Sequence, residues 1–138
     1  MDRRKILIVD DNADIRLGLR LRLKANRYET LFAADALSGV EEASKHQPDL
    51  IILDLGLPGS DGFTVMESLN KIPFLTGVPI IVVSARNAFG NQKRAIEAGA
   101  RAFLQKPVND AELLAVIRQC LEEPAGRQTP ALYDQGAE

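Results

Sequence analysis

The sequence predicts an α/β domain built on a five-stranded parallel sheet, doubly wound with helices on both faces. Short, wholly apolar, largely β-branched runs recur along the chain, and helical stretches separate them. Most of these runs also stop abruptly at polar residues. Strands buried on both faces read as continuous apolar runs rather than alternating ones, and strand-helix alternation five times over implies right-handed parallel crossovers.

Ile6 to Val9 is the first such run. Leu31 to Ala33 is a weaker second strand that opens near Tyr28. Leu50 to Leu53 and Ile80 to Val83 repeat the first pattern strongly, and Ala102 to Leu104 is a short fifth. Helices are expected over about residues 13–26, 36–46, 62–71, 88–98 and 109–122. Asp35, Asp61 and Asn109 are suited to cap the second, third and fifth of these, and Gly99 to stop the fourth.

The first helix conflicts with its own periodicity. Ile15, Leu17, Leu19, Leu21 and Leu23 alternate as in a strand. Two parallel strands still need a crossover of a dozen or so residues, and Asp11-Asn12 supplies good N-cap chemistry. On a helix, Ile15, Leu19 and Leu23 make one row and Leu17 and Leu21 fall on nearly the opposite side. Only one row can face the sheet, so the other is either covered or an exposed apolar stripe.

Length and composition fit one soluble domain: 138 residues, 46% apolar and 26% charged, with a net charge of −2. Neither nucleic acid nor an anionic membrane is advertised as a partner, and no apolar stretch is long enough to span a bilayer. The first strand is too short and too polar at its end for a secretory signal, so a cytoplasmic location is expected. Cys120 is the sole cysteine and reads as a small core residue. Residues 1–123 form the expected domain. Residues 124–138, opening Pro124-Ala125-Gly126, read as a polar tail or the start of a linker.

In an open parallel sheet, ligands sit outside the carboxyl ends of the strands. There the first strand delivers Asp10-Asp11, the third Asp54, the fourth Ser84-Ala85 and the fifth Lys106-Pro107. Three carboxylates repel one another strongly, and one lysine cannot neutralise them. A divalent cation can, and all-oxygen ligands suit Mg²⁺ or Mn²⁺.

Strand-Asp-Asp, strand-Asp-Leu-Gly-Leu-Pro-Gly-Ser-Asp-Gly, strand-Ser-Ala and strand-Leu-Gln-Lys-Pro, in that order, resemble the response-regulator receiver family over about residues 5–121. Each motif alone is weak, and the set of four in register is specific. The resemblance implies the flavodoxin-like, CheY-like (βα)5 fold with strand order 2-1-3-4-5. By position, Asp54 resembles the residue that takes a phosphoryl group from a phosphohistidine on a sensor histidine kinase or a histidine phosphotransfer protein. Asp10, through a water, and Asp11 look like the Mg²⁺ site, with the Asp54 carboxylate and the Gly56 backbone carbonyl. Lys106 is similar to the lysine that grips the acyl phosphate, and Ser84 to the hydroxyl residue that swings toward it. The Lys106-Pro107 bond is expected to be cis by the same resemblance. The family's first helix docks phosphotransfer partners, which makes Ile15, Leu17 and Leu21 a candidate partner surface or homodimer contact.

The chain also departs from the family pattern. Phe103 stands at the switch-aromatic position, often tyrosine, and cannot hydrogen-bond; a plain core role stays open. Gly56 leaves the phosphate position unshielded, and Arg86 is placed to reach over it. Arg101-Ala102 stands where DNA-binding relatives carry paired acids, which puts their dimer through the fourth and fifth helices in doubt. His46, the one histidine, suits a helix C-terminus and is not expected to donate phosphate. A haloacid-dehalogenase-type phosphatase would need a second Asp two residues after Asp54, where Gly56 stands. A nucleotide or flavin binder would need a Gly-rich loop after the first strand, where Asp10-Asp11-Asn12-Ala13 would repel phosphate. A pseudo-receiver that binds without phosphate is the remaining alternative. The downstream target is not encoded in these motifs.

Overall fold

Lys5–Val9 (β1), Glu29–Ala33 (β2), Leu50–Asp54 (β3), Ile80–Ser84 (β4) and Ala102–Gln105 (β5) form one parallel sheet in the order β2-β1-β3-β4-β5. This is a computed structural model, and it describes residues 3–57, 62–85 and 88–122. The expected caps and reach of Asp61 and Arg86, and the tail 124–138, lie outside those residues.

The crossovers are Ala13–Ala25 (α1), Ala36–His46 (α2), Gly62–Asn70 (α3), Ala88–Glu97 (α4) and Asp110–Glu122 (α5). A single 3-10 turn, Pro73–Leu75, precedes β4; it is too short to leave a periodic signal in the sequence. The helix starts are capped as their residue types require. Asn12 accepts from the Ile15 N–H at 3.0 Å, Asp35 from Ser38 at 2.8 Å and Asn109 from Glu112 at 3.0 Å. Gly99 ends α4 at a φ of 110°, which a side chain would resist, while Ala100 N–H reaches back to Ala95 O at 2.9 Å.

Strand pleating divides the core in two. Leu7, Val9, Ile51, Leu53, Ile80 and Val82 face one layer, with the buried Val65, Met66, Leu69 and Ala95 of α3 and α4. Ile6, Ile8, Leu50, Ile52, Ile81 and Val83 face the other, with Leu23 of α1 and Leu113, Val116, Ile117 and Cys120 of α5. Cys120 is therefore a core residue, 7% exposed. In α1 the sheet wins the contest between the two leucine rows. Leu23 is fully buried and Ile15 and Leu19 half-buried, whereas Leu17 and Leu21 stand 53% and 61% exposed.

Candidate functional site

Register alone brings the first two acids together. Val9 pairs with Leu53, so Asp10 and Asp54 are the next residues on neighbouring strands, roughly 4.8 Å apart across the sheet. By the same parity they follow Ile8 and Ile52 onto the layer of α1 and α5. Lys106 follows Leu104 onto that layer, at the end of β5. Its Nζ donates to Asp10 Oδ2 at 3.0 Å and lies 3.6 Å from Asp54 Oδ2. The Lys106-Pro107 peptide is cis.

Around this pair the backbone supplies further donors. Asn12 N–H donates to Asp10 Oδ1 at 2.9 Å, and Gly56 N–H to Asp54 Oδ1 at 3.1 Å. Arg16 donates through Nη1 to the Asp10 carbonyl at 2.6 Å, bracing the β1-α1 turn. Asp10 and Asp54 are nearly closed off from solvent, at 4% and 7% exposure, and Asp11 is exposed. Carboxylate oxygens of Asp10, Asp11 and Asp54 lie within 4.8 Å of one another. One ammonium against three carboxylates leaves the cluster anionic where solvent screens poorly. An all-oxygen donor set of this kind, open on the Asp11 side, fits a hard divalent cation such as Mg²⁺.

Ser84 and Phe103 lie on the other layer by parity, since Val82 and Phe103 pair and both pack with the α3-α4 side. Ser84 is fully buried and Phe103 half-buried. Ser84 O accepts from Lys106 N–H at 2.9 Å, so the two layers meet through the β4-β5 backbone. Gly56 is exposed, and a Cβ there would sit 3.7 and 3.8 Å from the Asp54 oxygens. His46 lies away from the cluster at the end of α2, 3.6 Å from Glu42.

Asp10, Asp54 and Lys106 also line a cavity of about 520 Å³ between α1 and α5. Its walls are largely apolar, from Ile15, Leu19, Val83 and Leu113, and Arg22 pairs with Asp110 at its side. Sequence reasoning missed this cavity, the Arg16 brace and the Gly62 contact. A Cβ on Gly62 would lie 2.8 Å from the Leu55 backbone. An arginine four residues after the Asn12 cap was the only linear trace of the brace.

A 2-1-3-4-5 parallel sheet with an acidic pocket at its carboxyl edge is the architecture of the CheY-like class of domains. The chain belongs to the response regulator receiver domain family, whose profile matches residues 6–118. It is 38% identical over 115 residues to the response regulator PleD of Caulobacter vibrioides, covering 83% of this chain and 25% of that protein. It is 38% identical over 125 residues to the KDP operon transcriptional regulatory protein KdpE of Escherichia coli, covering 91% of this chain and 54% of KdpE. The chain thus spans between a quarter and about half of these relatives. Among solved structures it resembles a receiver domain protein of Methanospirillum hungatei (30% identity, TM-score 0.82, 88% of this chain and 95% of that one). A second similar structure is a response regulator of Chloroflexus aurantiacus (30% identity, TM-score 0.84, 88% of this chain and all of that one). The chain is a receiver domain of two-component signal transduction. No helix among the described residues is long and apolar enough to cross a membrane.

Proposed function

We propose that this receiver takes a phosphoryl group on Asp54 from a phosphohistidine of a sensor kinase or phosphotransfer protein. The observation that carries the reading is the Lys106 ammonium set between Asp10 and Asp54 inside a three-carboxylate cluster. An Asp54 oxygen attacks phosphorus, the P–N bond to the donor imidazole breaks, and its electron pair returns to the ring. A carboxylate needs no general base for this, so rate comes from positioning and charge. Lys106 stands where it opposes the charge gathering on the phosphoryl oxygens, and the Gly56 N–H orients Asp54. Asp11, Asp54 and the Gly56 carbonyl, with Asp10 through a water, would hold Mg²⁺. Bound there, the ion would screen the remaining phosphoryl charge. In a separate later step water attacks phosphorus, the Asp54 O–P bond breaks with its electron pair returning to the Asp54 carboxylate, and inorganic phosphate leaves carrying the water's oxygen and protons, so the signal limits itself. Exposed Gly56 leaves a route for that water, and Arg86 is the neighbour proposed to tune it.

Signalling follows from Ser84. Moving its hydroxyl toward the phosphoryl group vacates space on the Phe103 side, and Phe103 fills it by burial alone. This shifts the population between two packings of the α4-β5 face. The donor docks on α1 beside the site, over Ile15, Leu17 and Leu21. Support for that comes from the exposed leucines one turn apart and from Ile15 lining the cavity shared with Asp54. The unit that acts is residues 1–123, with 124–138 serving as tail or linker to whatever output it controls. The relatives named as transcriptional regulators make a DNA-binding output one candidate.

The test is intact mass after incubation with Mg²⁺ and phosphoramidate, on wild type and Asp54→Asn. One added phosphoryl group that needs Mg²⁺ and disappears in the variant is expected. Its absence with several small donors and with phosphohistidine proteins would overturn the reading in favour of a phosphate-independent module.

A further inference from the structure

Charge is unevenly spread over this chain. Nearly half of its 17 lysines and arginines fall in residues 3–27, although the whole chain is net −2. Part of that excess converges on one concave place. A groove of about 330 Å³ between α1 and the outer strand β2 is lined by Arg3, Arg20, Lys24, Tyr28, Glu29, Thr30 and Phe32. Most of it lies at the amino ends of the strands, away from Asp54. None of Arg3, Arg20 and Lys24 forms an ion pair among the described residues. Glu29 is the one acid in the lining, so the groove is cationic in a chain that is not.

Its shape follows from two periodicities. Arg20 and Lys24 stand one turn apart on α1 and make one rim. Thr30 and Phe32 share one face of β2 and Tyr28 immediately precedes the strand, so the groove's strand wall is built from these three side chains, spaced by about 6–7 Å per two residues. The Tyr28 and Phe32 rings pack at the margin of the α1-α5 core and are half-buried. The Arg20 guanidinium lies 6.0 Å from the centre of the Phe32 ring, at the outer range of a cation-π contact, which holds it over the groove. Arg3, just before β1, closes the amino end.

We propose that this groove binds a small phosphorylated ring compound of the nucleotide class. Arg20, Lys24 and Arg3 meet the phosphates, Tyr28 offers a ring face for the base, and Thr30 and Glu29 are placed for hydroxyl or amino groups. Its volume lies at the small end of ligand sites, which suits a single nucleotide rather than a peptide. Cations without an ion-pair partner among the described residues, set beside aromatic side chains, are the chemistry that phosphate and base together require.

Calorimetric titration of the intact chain, in EDTA so that the acidic cluster cannot recruit a metal-bound nucleotide, tests this. The probes are ATP, tripolyphosphate and adenosine. ATP is expected to bind one to one, with tripolyphosphate and adenosine each at least about tenfold weaker, the loss of one good contact. Arg20→Ala with Lys24→Ala should weaken ATP at least about tenfold, while Lys45→Ala with Lys71→Ala on the other layer should not. All four side chains are exposed, and circular dichroism checks that the variants fold. Three results would overturn the proposal: no ATP binding at millimolar concentration, ATP binding indifferent to Arg20 and Lys24, or tripolyphosphate or adenosine binding as tightly as ATP. The ligand series uses wild-type protein and reads out whatever the variants do.

Discussion

Replacing Gly62 by alanine measures how far the acidic site depends on the packing behind it. Gly62 opens α3, and its φ is not in the left-handed region, so an alanine there carries no backbone strain of its own. The obstacle is space. The new Cβ would lie 2.8 Å from both Cα and Cδ2 of Leu55 and 3.2 Å from the Asp54 carbonyl oxygen. The Leu55 side chain can rotate, but its Cα moves only with the end of β3. Overpacking of this kind costs about 1–3 kcal/mol, and the helix propensity gained over glycine offsets at most about 1. A net loss of about 1–2 kcal/mol would lower the melting temperature by about 4 °C per kcal/mol in a domain this size. Because Asp54 precedes Leu55, its carboxylate shifts too, and phosphoramidate labelling should slow by about tenfold or more. Gly18→Ala is the control. It sits inside α1, its Cβ would meet only Arg22 Nη1 at 3.6 Å, and it should stabilise by up to about 1 kcal/mol. Urea unfolding and a labelling time course read both. A Gly62→Ala protein as stable and as quickly labelled as wild type would refute the packing argument.

Other perturbations probe separate parts of the reading. Lys106→Met should cut Mg²⁺-dependent labelling of Asp54 by about 100-fold, as the loss of a preorganised electrostatic contact does elsewhere; an unchanged rate in the mass assay would remove Lys106 from the mechanism. Leu17→Glu with Leu21→Glu should weaken transfer from a phosphohistidine donor by tenfold or more, about 1.4 kcal/mol, yet leave phosphoramidate labelling intact. Unchanged transfer and oligomeric state would show the stripe to be inert. The Asp35 carboxyl is held below its ordinary value of 3.8 first by the Ser38 backbone N–H and then by the Ser38 side chain. A depressed folded-state value makes its cap fully effective above 3.8 and lost as pH falls through the lower folded value. Melting curves from pH 6 downward should therefore fall faster for wild type than for Asp35→Asn below that point, since asparagine caps without titrating.

The fold was largely legible because β1, β3 and β4 are buried on both faces and must be continuously apolar. Element ends agree with the sequence reading to within two residues. Periodicity misled only in α1, where Leu17 and Leu21 alternate with the sheet-facing row. The crossover requirement decided for helix, and solvent exposure of those two leucines is the outcome the pattern left open. The acid cluster was legible too, since strand ends in a parallel sheet deliver their next residues to one edge. What was not legible depends on contacts between distant segments. The Gly62 approach to Leu55, the Arg22-Asp110 pair across the cavity and the basic groove along β2 each need two elements already in place.

Strand parity says more about the proposed switch than the motif residues do. Asp10, Asp54 and Lys106 follow the even positions of their strands onto the α1-α5 layer, while Ser84 and Phe103 fall on the α3-α4 layer. The proposed chemistry and the proposed readout therefore occupy opposite faces of one sheet. A Ser84 hydroxyl that reaches a phosphoryl group on Asp54 must come around the carboxyl edge of β4, and the volume it leaves opens beside Phe103. Phenylalanine is sufficient for that step, because filling a vacated apolar space needs area and no hydrogen bond. The link across the sheet is the Lys106 N–H to Ser84 carbonyl bond, which would join the residue proposed to hold the phosphate to the one proposed to move. A one-residue change of register in β4 would carry Ser84 to the α1-α5 face and away from Phe103, and one in β5 would carry Lys106 off the face of Asp10 and Asp54.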